Sequence, residues 1–149
     1  MEIIRAQSKH ADDVAKLFNL YRQFYQQAAN LKLAKEFISE RIAKNESIIF
    51  VTYENEEAIG FVQLYPSFCS VAASRILILY DLYVSAAHRK KGVGEALMNR
   101  AKVFAEETGA TRLDLLTAVD NLPGQSLYEK LGYTRANEGF YAYSLQVSG

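Results

Sequence analysis

The chain has a single cysteine, Cys69, so no internal disulfide is open to it. A small buried side chain near a strand end is the expected role, with a reactive thiol as the alternative. Two histidines and that one cysteine offer no cluster of metal ligands. Neither sign of charge is in excess, since Lys plus Arg and Asp plus Glu each total 17. That balance removes the electrostatic case for nucleic acid or an anionic membrane as the main partner. No apolar run reaches membrane-spanning length, and no charged-then-apolar leader opens the chain, so a cytoplasmic protein is expected. Repeats, low-complexity tracts and linkers are missing too. What is present is 149 residues, half of them hydrophobic, enough for one domain, 1–149, with a sizeable core.

Within that composition one stretch carries chemistry: His88-Arg89-Lys90-Lys91-Gly92-Val93-Gly94-Glu95-Ala96-Leu97. It follows an apolar run, Ile76 to Val84, and opens a segment in which Val93, Leu97, Ala101 and Phe104 recur at helical spacing. The order is strand, basic glycine loop, helix. A helix N-terminus presents backbone N–H groups without intrahelical partners and a partial positive charge. Glycines at 92 and 94 clear Cβ atoms from the approach, and Arg89, Lys90 and Lys91 add formal charge, so the stretch reads as a pyrophosphate cradle. A solvated basic turn is the alternative. Neither the Gly-x-Gly-x-x-Gly of dinucleotide folds nor the Gly-Lys-Ser/Thr of P-loops is there. The pattern Arg89-x-x-Gly92-x-Gly94 resembles the Arg/Gln-x-x-Gly-x-Gly/Ala signature of the GNAT acetyltransferases, which binds the pyrophosphate of acetyl-coenzyme A.

A second segment lies further on. The strand Leu113 to Thr117 is followed by Asn121-Leu122-Pro123-Gly124-Gln125-Ser126-Leu127-Tyr128-Glu129-Lys130-Leu131-Gly132-Tyr133. Pro123 suits a first helical turn and Gly132 a helix end. Asn121, Tyr128, Glu129, Gly132 and Tyr133 match the second GNAT signature, Asn-x-x-Ala-x-x-x-Tyr-Glu-x-x-Gly-Phe/Tyr. Gly124 replaces its alanine, which is expected to loosen the helix start. The specific resemblance covers about residues 76–135.

The remaining elements follow from pattern. A strand at 2–6 precedes a helix capped by Ser8, with Val14, Leu17, Phe18, Tyr21, Phe24 and Tyr25 on one face. After a turn over Ala28 to Leu33, Ala34, Phe37, Ile38 and Ile42 share the face of a second helix. Ile48 to Tyr53 and Ala58 to Tyr65 form a hairpin, with Pro66 ending the pairing and Ser67 to Ser74 as a loop. The strand Arg75 to Val84, a helix at 94–107 and a strand at 112–117 make a parallel crossover. Strands at Tyr133 to Arg135 and Phe140 to Gln146, with a turn at Asn137 to Gly139, close the sheet. The order is βααβββαβαββ, an α/β fold with a mixed sheet. The GNAT resemblance implies the same sheet, with the parallel pair splayed and the pantetheine arm of the cofactor in the gap.

Acetyl transfer requires a neutral amine, a donor for the developing oxyanion and a proton for the departing thiolate. The resemblance implies that Tyr128 is the general acid, with a core aromatic as the plain alternative. It implies that Leu82, Tyr83 and Val84 pair with pantetheine through their backbone, Val84 also serving the oxyanion. Residues Arg89, Lys90, Lys91, Gly92, Val93, Gly94 and Glu95 would hold the pyrophosphate. Asn121 either contacts the cofactor or caps its own helix. Asp81, a carboxylate inside an apolar run, is costly to bury unpaired, so it is the acceptor-side candidate, to bind an ammonium or relay its proton. An ion pair or a solvated rim position is its alternative. Related polyamine-type GNATs carry Glu-Asp where this chain has Tyr80-Asp81, which argues against a direct glutamate base. Tyr21, Tyr25, Tyr65 and Phe68 are candidate pocket walls, and aromatics beside a carboxylate suit a small cationic amine. The strands around these residues are similar to GNAT enzymes grouped loosely as histone or polyamine acetyltransferases. A protein N-terminus, a lysine or an aminoglycoside are alternative acceptors, and a non-catalytic acyl-CoA-binding regulator is the alternative role. The final tyrosine-rich strand, apolar on both faces, suggests a homodimer.

Overall fold

The computed structural model describes residues 1–136 and 139–149, which divide into two compact units, Met1–Leu116 and Thr117–Gly149. In the first unit β1 (Glu2–Arg5) is followed by α1 (Ala11–Phe24) and α2 (Leu31–Ala43). Three long strands come next, β2 (Ile48–Glu54), β3 (Glu57–Cys69) and β4 (Ser74–Val84). Then α3 (Val93–Thr108) crosses over to a short β5 (Leu113–Asp114). The sheet order is β1-β2-β3-β4-β5, antiparallel except for the parallel β4–β5 pair that α3 connects.

Alternation along the strands sorts their side chains between two covered faces. Ile49, Val51 and Phe61 pack with Val14, Leu17 and Phe18 of α1 and Ala34 and Ile38 of α2. Phe50 points to the other face, where its ring meets Phe104 of α3 at 5.7 Å between centroids. Burial on both sides explains why the middle of β3 carries almost no polar residue. Gln63 is the exception. It shares the α1–α2 face with Phe61, two residues away.

The β3–β4 ladder slips once. Gln63 stands opposite Asp81 but Leu64 stands opposite Leu79, so Tyr80 has no partner on β3. Opposed residues of an antiparallel pair share a face. Leu79 therefore goes with Leu64 to the α3 side, and Asp81 goes with Gln63 to the α1–α2 side. Without this bulge the two would lie on the same face.

The second unit holds α4 (Leu122–Lys130). Asn121 caps it: Oδ1 accepts from the Gly124 N–H at 3.2 Å, and Nδ2 donates to Thr117 Oγ1 at 3.0 Å. A Cβ at position 124 would overlap the Asn121 carboxamide. Glycine here makes room for the cap, so it tightens the helix start instead of loosening it.

Several boundaries differ from those read in the sequence. Ser8 is not the cap of α1; it begins a 3₁₀ turn, Ser8–His10, braced by the Gln7 N–H donating to His10 Nδ1 at 2.9 Å. The second helix starts earlier, at Leu31, because Asn30 Oδ1 accepts from the Leu33 N–H at 3.1 Å. Pro66 does not end β3: it lies opposite Leu77, and the strand runs on to Cys69, so the expected loop shortens to residues 70–73. Pairing with β2 does stop at Leu64, so Pro66 sits where β3 has one neighbour only, as its missing N–H requires. The strand expected at 112–117 shortens to two residues. The last two strands are not formed among the described residues: 133–136 and 139–149 carry no regular structure. Of the turn between them, Asn137 and Glu138 lie outside the described residues.

Gly60 fixes how closely α3 approaches the sheet. A Cβ there would stand 3.1 Å from the Tyr83 carbonyl oxygen, 3.2 Å from Leu97 Cδ1 and 3.3 Å from Val93 Cγ1. Gly60→Ala is expected to lower the unfolding free energy by about 1–3 kcal/mol, the scale of overpacking, measured by urea denaturation.

Candidate active site

The turn between β4 and α3 is tied down along its length. Ser85 N–H donates to the Ile59 carbonyl at 2.8 Å. Ser85 Oγ and His88 Nδ1 are 2.8 Å apart, and His88 Nε2 lies 3.4 Å from Glu54 Oε2 at the end of β2. Arg89 Nε donates to the Val84 carbonyl at 2.9 Å, and its guanidinium sits over the rings of Tyr83 (5.4 Å) and Phe24 (5.7 Å). Lys90 and Gly92 both have left-handed backbone, at φ 62° and 82°. These two reversals bring the chain into α3, whose first turn closes with the Ala96 N–H on the Gly92 carbonyl at 3.0 Å. Lys90 and Lys91 are exposed, Val93 is buried against the sheet, and Gly94 and Glu95 follow in the first helical turn. A Cβ at Gly92 would meet nothing within 4 Å, so the mouth of the turn is open.

Beside the turn, β4 has an open edge. β5 pairs with it only at Leu77↔Leu113 and Ile78↔Asp114, and among the described residues no strand covers 79–84 on that side. The Ser85 bond to Ile59 sets the phase of the ladder. Pairs that exchange hydrogen bonds alternate with pairs that do not, so Tyr83 turns its backbone to Phe61 while Leu82 and Val84 turn theirs to the open edge. The bond from Arg89 to the Val84 carbonyl agrees with that phase. Of the three strand residues expected to meet the cofactor through their backbone, two are so oriented; Tyr83 presents its ring instead.

On the α1–α2 face of the same strand lies Asp81, 4 % exposed. Among the described residues it has no ion-pair partner, and its burial takes it away from a solvated rim. Its Oδ2 accepts from Gln63 Nε2 at 2.6 Å, and Gln63 Oε1 accepts from Ser47 Oγ at 2.7 Å. Tyr21 covers the group from α1; its hydroxyl donates to the Tyr80 carbonyl at 3.3 Å and also interacts with Asp81. Burial pushes the Asp81 carboxyl above the usual range, against the hydrogen bonds from Gln63 and Tyr21 that pull it down. Burial, with the Asp81 charge adding, raises Tyr65 to about 12. The Tyr65 ring meets Tyr80 at 5.6 Å, and Tyr21 meets Tyr25 at 5.0 Å and Tyr83 at 6.3 Å. Phe68 is exposed near the β3–β4 hairpin, under Arg75 at 5.9 Å. Cys69 lies at the strand end, partly exposed, its thiol lowered by the Ala72 backbone and by Arg112.

Ser47 and Gln63 were not among the residues singled out in the sequence. The available signal was Gln63 itself, a lone carboxamide in an apolar strand.

In the second unit Tyr128 is half-buried on α4. Its carbonyl accepts from the Tyr133 N–H at 2.9 Å, and the two rings are 6.2 Å apart. Burial raises Tyr133 to about 12. Both ends of the Asn121 carboxamide are engaged, Oδ1 in the helix cap and Nδ2 with Thr117 Oγ1. Among the described residues no three His, Cys, Asp or Glu side chains gather as metal ligands. No helix among them is long and apolar enough to cross a membrane.

Comparison with known proteins gives a consistent result. The family model described as acetyltransferase (GNAT) family matches residues 14–133, a stretch that runs through both units. The uncharacterized N-acetyltransferase YhfO of Bacillus subtilis (strain 168) is 45% identical over 147 residues, 99% of this chain and 98% of its own. A solved structure of a probable acetyltransferase is 38% identical, with a TM-score of 0.90 over 100% of this chain and 99% of its own. The aminoglycoside N-acetyltransferase AAC(6')-Iy, solved in complex with CoA, is 15% identical with a TM-score of 0.81, covering 96% of this chain and 93% of its own, a likeness of fold alone.

The Asp81 environment has a stability signature. A carboxyl whose pKa is raised in the folded state binds its proton more tightly there than in the unfolded chain. Its contribution is therefore most favourable below the unfolded pKa of about 3.9 and is lost as pH rises through the folded pKa. Asp81→Asn, uncharged at every pH, is expected to melt higher than wild type near neutral pH, the gap closing as pH falls. Thermal melts across pH check this.

Proposed function

Because this chain belongs to the acetyltransferase (GNAT) family and is an acyltransferase, we propose that it moves an acetyl group from acetyl-coenzyme A to the primary amine of a small cationic acceptor, by direct attack in a ternary complex. One observation carries this reading. A single strand, β4, has an open backbone edge leading into a basic glycine turn, and on its α1–α2 face a buried carboxyl ringed by tyrosines.

The residues present fit the cofactor. The uncrowded mouth at Gly92, the charges of Arg89, Lys90 and Lys91, and the N–H groups opening α3 through Val93, Gly94 and Glu95 suit a pyrophosphate. Leu82 and Val84 offer backbone groups to pantetheine, and the Val84 N–H is the donor toward developing oxyanion charge. Bound there, acetyl-coenzyme A supplies an activated acetyl thioester. Asn121 keeps its cap in this reading, with any cofactor contact secondary. Tyr128 is the general acid. Asp81 serves the acceptor. A buried carboxyl with a raised pKa is suited to take a proton from an incoming ammonium more than to hold a lasting charge beside it.

Acceptor class follows from the same face. Asp81 is the one buried carboxylate among the described residues, and Tyr21, Tyr65 and Tyr80 surround it. Aromatic rings around one carboxyl favour a compact cation; an aminoglycoside, with several ammonium groups, would need more acidic partners. We place the protein in the cytoplasm as one acetyltransferase domain, 1–149. We also assign it as a homodimer. Phe140, Tyr141, Tyr143 and Leu145 are exposed, and a second copy would cover them.

The deciding experiment is release of free thiol from acetyl-coenzyme A with spermidine, small diamines, amino acids, aminoglycosides and peptides. Spermidine or diamines are the expected acceptors. Turnover confined to aminoglycosides or peptides would move the acceptor class, and tight cofactor binding without turnover would favour a regulator.

Three further outcomes are expected. Gly94→Asp should weaken acetyl-coenzyme A binding about 10²-fold or more by calorimetry, the scale of charge-assisted hydrogen bonds at about 1.5–3 kcal/mol each. Tyr128→Phe should slow transfer about 10²-fold in steady-state assays with cofactor affinity nearly intact, since only the proton donor is removed. Light scattering should give twice the chain mass.

A further inference from the structure

The chain from Ser47 through Gln63 to Asp81 is more than a way of burying a carboxyl. Gln63 is fully buried, so its carboxamide has no water as an alternative partner, and Ser47 is 7 % exposed. A Leu at 63 would fill similar space in an apolar strand at no desolvation cost. The carboxamide instead stands directly opposite Asp81 and is gripped at its other end by Ser47.

We propose that Ser47 and Gln63 are positioning residues that keep the Asp81 carboxyl hydrogen-bonded inside the fold both when it carries a proton and when it does not. As it stands, the Gln63 carboxamide donates to Asp81 through Nε2 and accepts from Ser47 through Oε1. That suits an ionised carboxylate, which only accepts. Turned by 180°, the same carboxamide accepts from a protonated Asp81 and donates to the Ser47 hydroxyl oxygen, which serves in both roles. A rotation of one side chain thus matches each protonation state. The Ser47 hydroxyl proton then swings away from Gln63, toward the side of Ser47 that keeps some exposure, while the carboxyl proton arrives on an Asp81 oxygen and leaves from it. A fixed donor, such as lysine, would suit one state and oppose the other.

The other groups facing Asp81 do not impose a state. Tyr21 reaches it from α1 and Tyr65 from β3, and Tyr80 precedes it on its own strand; all are phenols. Arg41 of α2 and Glu46, before β2, act on Tyr65 with opposite sign, and Tyr25 acts on Tyr21. No cation of the described residues is among the groups acting on Asp81. Reversible protonation is what a group taking protons from successive acceptor amines needs, so the inference rests on the reading of Asp81 under Proposed function.

Two measurements on the full chain keep the claims apart. The first follows Asp81 by carboxyl-carbon NMR over pH, beside the Gln63 side-chain NH₂ resonances. Gln63 is expected to titrate with the midpoint of Asp81. In Gln63→Leu the Asp81 midpoint should rise by about one pH unit or more, the scale of one lost charge-assisted hydrogen bond. Gln63→Met serves if the leucine variant does not fold. Ser47→Ala should shift the midpoint less, because the direct donor remains. An Asp81 midpoint unmoved in Gln63→Leu or Gln63→Met, or Gln63 resonances that ignore the titration, overturns the relay. The second measurement is the acid limb of thiol release with spermidine, which should move upward with the NMR midpoint in each variant. A midpoint that moves while the limb stays fixed, or spermidine left untouched at every pH, keeps the relay and overturns the part given to Asp81 in transfer.

Discussion

Tyr80 has no partner across the ladder, and that one extra residue decides which face of the sheet Asp81 enters. In an uninterrupted strand Asp81 would follow Leu79 toward α3, where Leu97 and Met98 are buried and Phe104 meets Phe50. The bulge turns it toward Gln63. It also takes the Tyr80 carbonyl out of the regular ladder, where the Tyr21 hydroxyl accommodates it, and leaves the Tyr80 side chain 60 % exposed beside the buried carboxyl. Bulges of this kind commonly re-aim a side chain next to an active site. The rest of β4 then follows: Tyr83 on the same face as Asp81, Leu82 and Val84 with backbone groups at the open edge, Arg89 folded back onto the strand end.

Why the carboxyl is tolerated there is a question of magnitude. An ionised group without partners costs far more to bury than one hydrogen bond returns, which is why its pKa rises instead. Bonds from Gln63 and Tyr21 offset part of that cost and keep ionisation within reach. Acidic enzymes of other folds use the same compromise, an apolar wall with a few well-placed donors. Here the donors are neutral, so the group is stabilised without being locked into one charge state.

The parts of this arrangement that depend on local chemistry were legible in the sequence. Two glycines three to five residues after Arg89, with apolar residues recurring at 93, 97, 101 and 104, are enough to place a basic turn at the head of a helix. Asp81 stood out because its neighbours are apolar. Gln63 is as isolated in its own strand, but its pairing with Asp81 depends on a slip that no local signal marks. The alternation from Tyr141 to Val147 is a genuine strand pattern, yet a strand exists only where another edge receives it, and pairing is not written in one segment. Pro66 misled for a related reason: it excludes a bond on one side, and β3 at that point has only one side paired. At Gly124 the departure from the family pattern looked like a weakness, and its purpose appears only once the Asn121 carboxamide is seen lying over it.

The turn from Ser85 to Gly92 is fastened by Ile59 at its start, by Glu54 through His88, and by the Val84 carbonyl through Arg89, before Gly92 hands it to α3. Fixing a backbone residue costs about 1–2 kcal/mol of conformational entropy whenever it happens. In this protein that loss falls on folding, when the sheet and α3 form around the turn. A ligand that bound there would meet a loop whose freedom is already spent, and its contacts would go into affinity without first having to immobilise the chain that makes them.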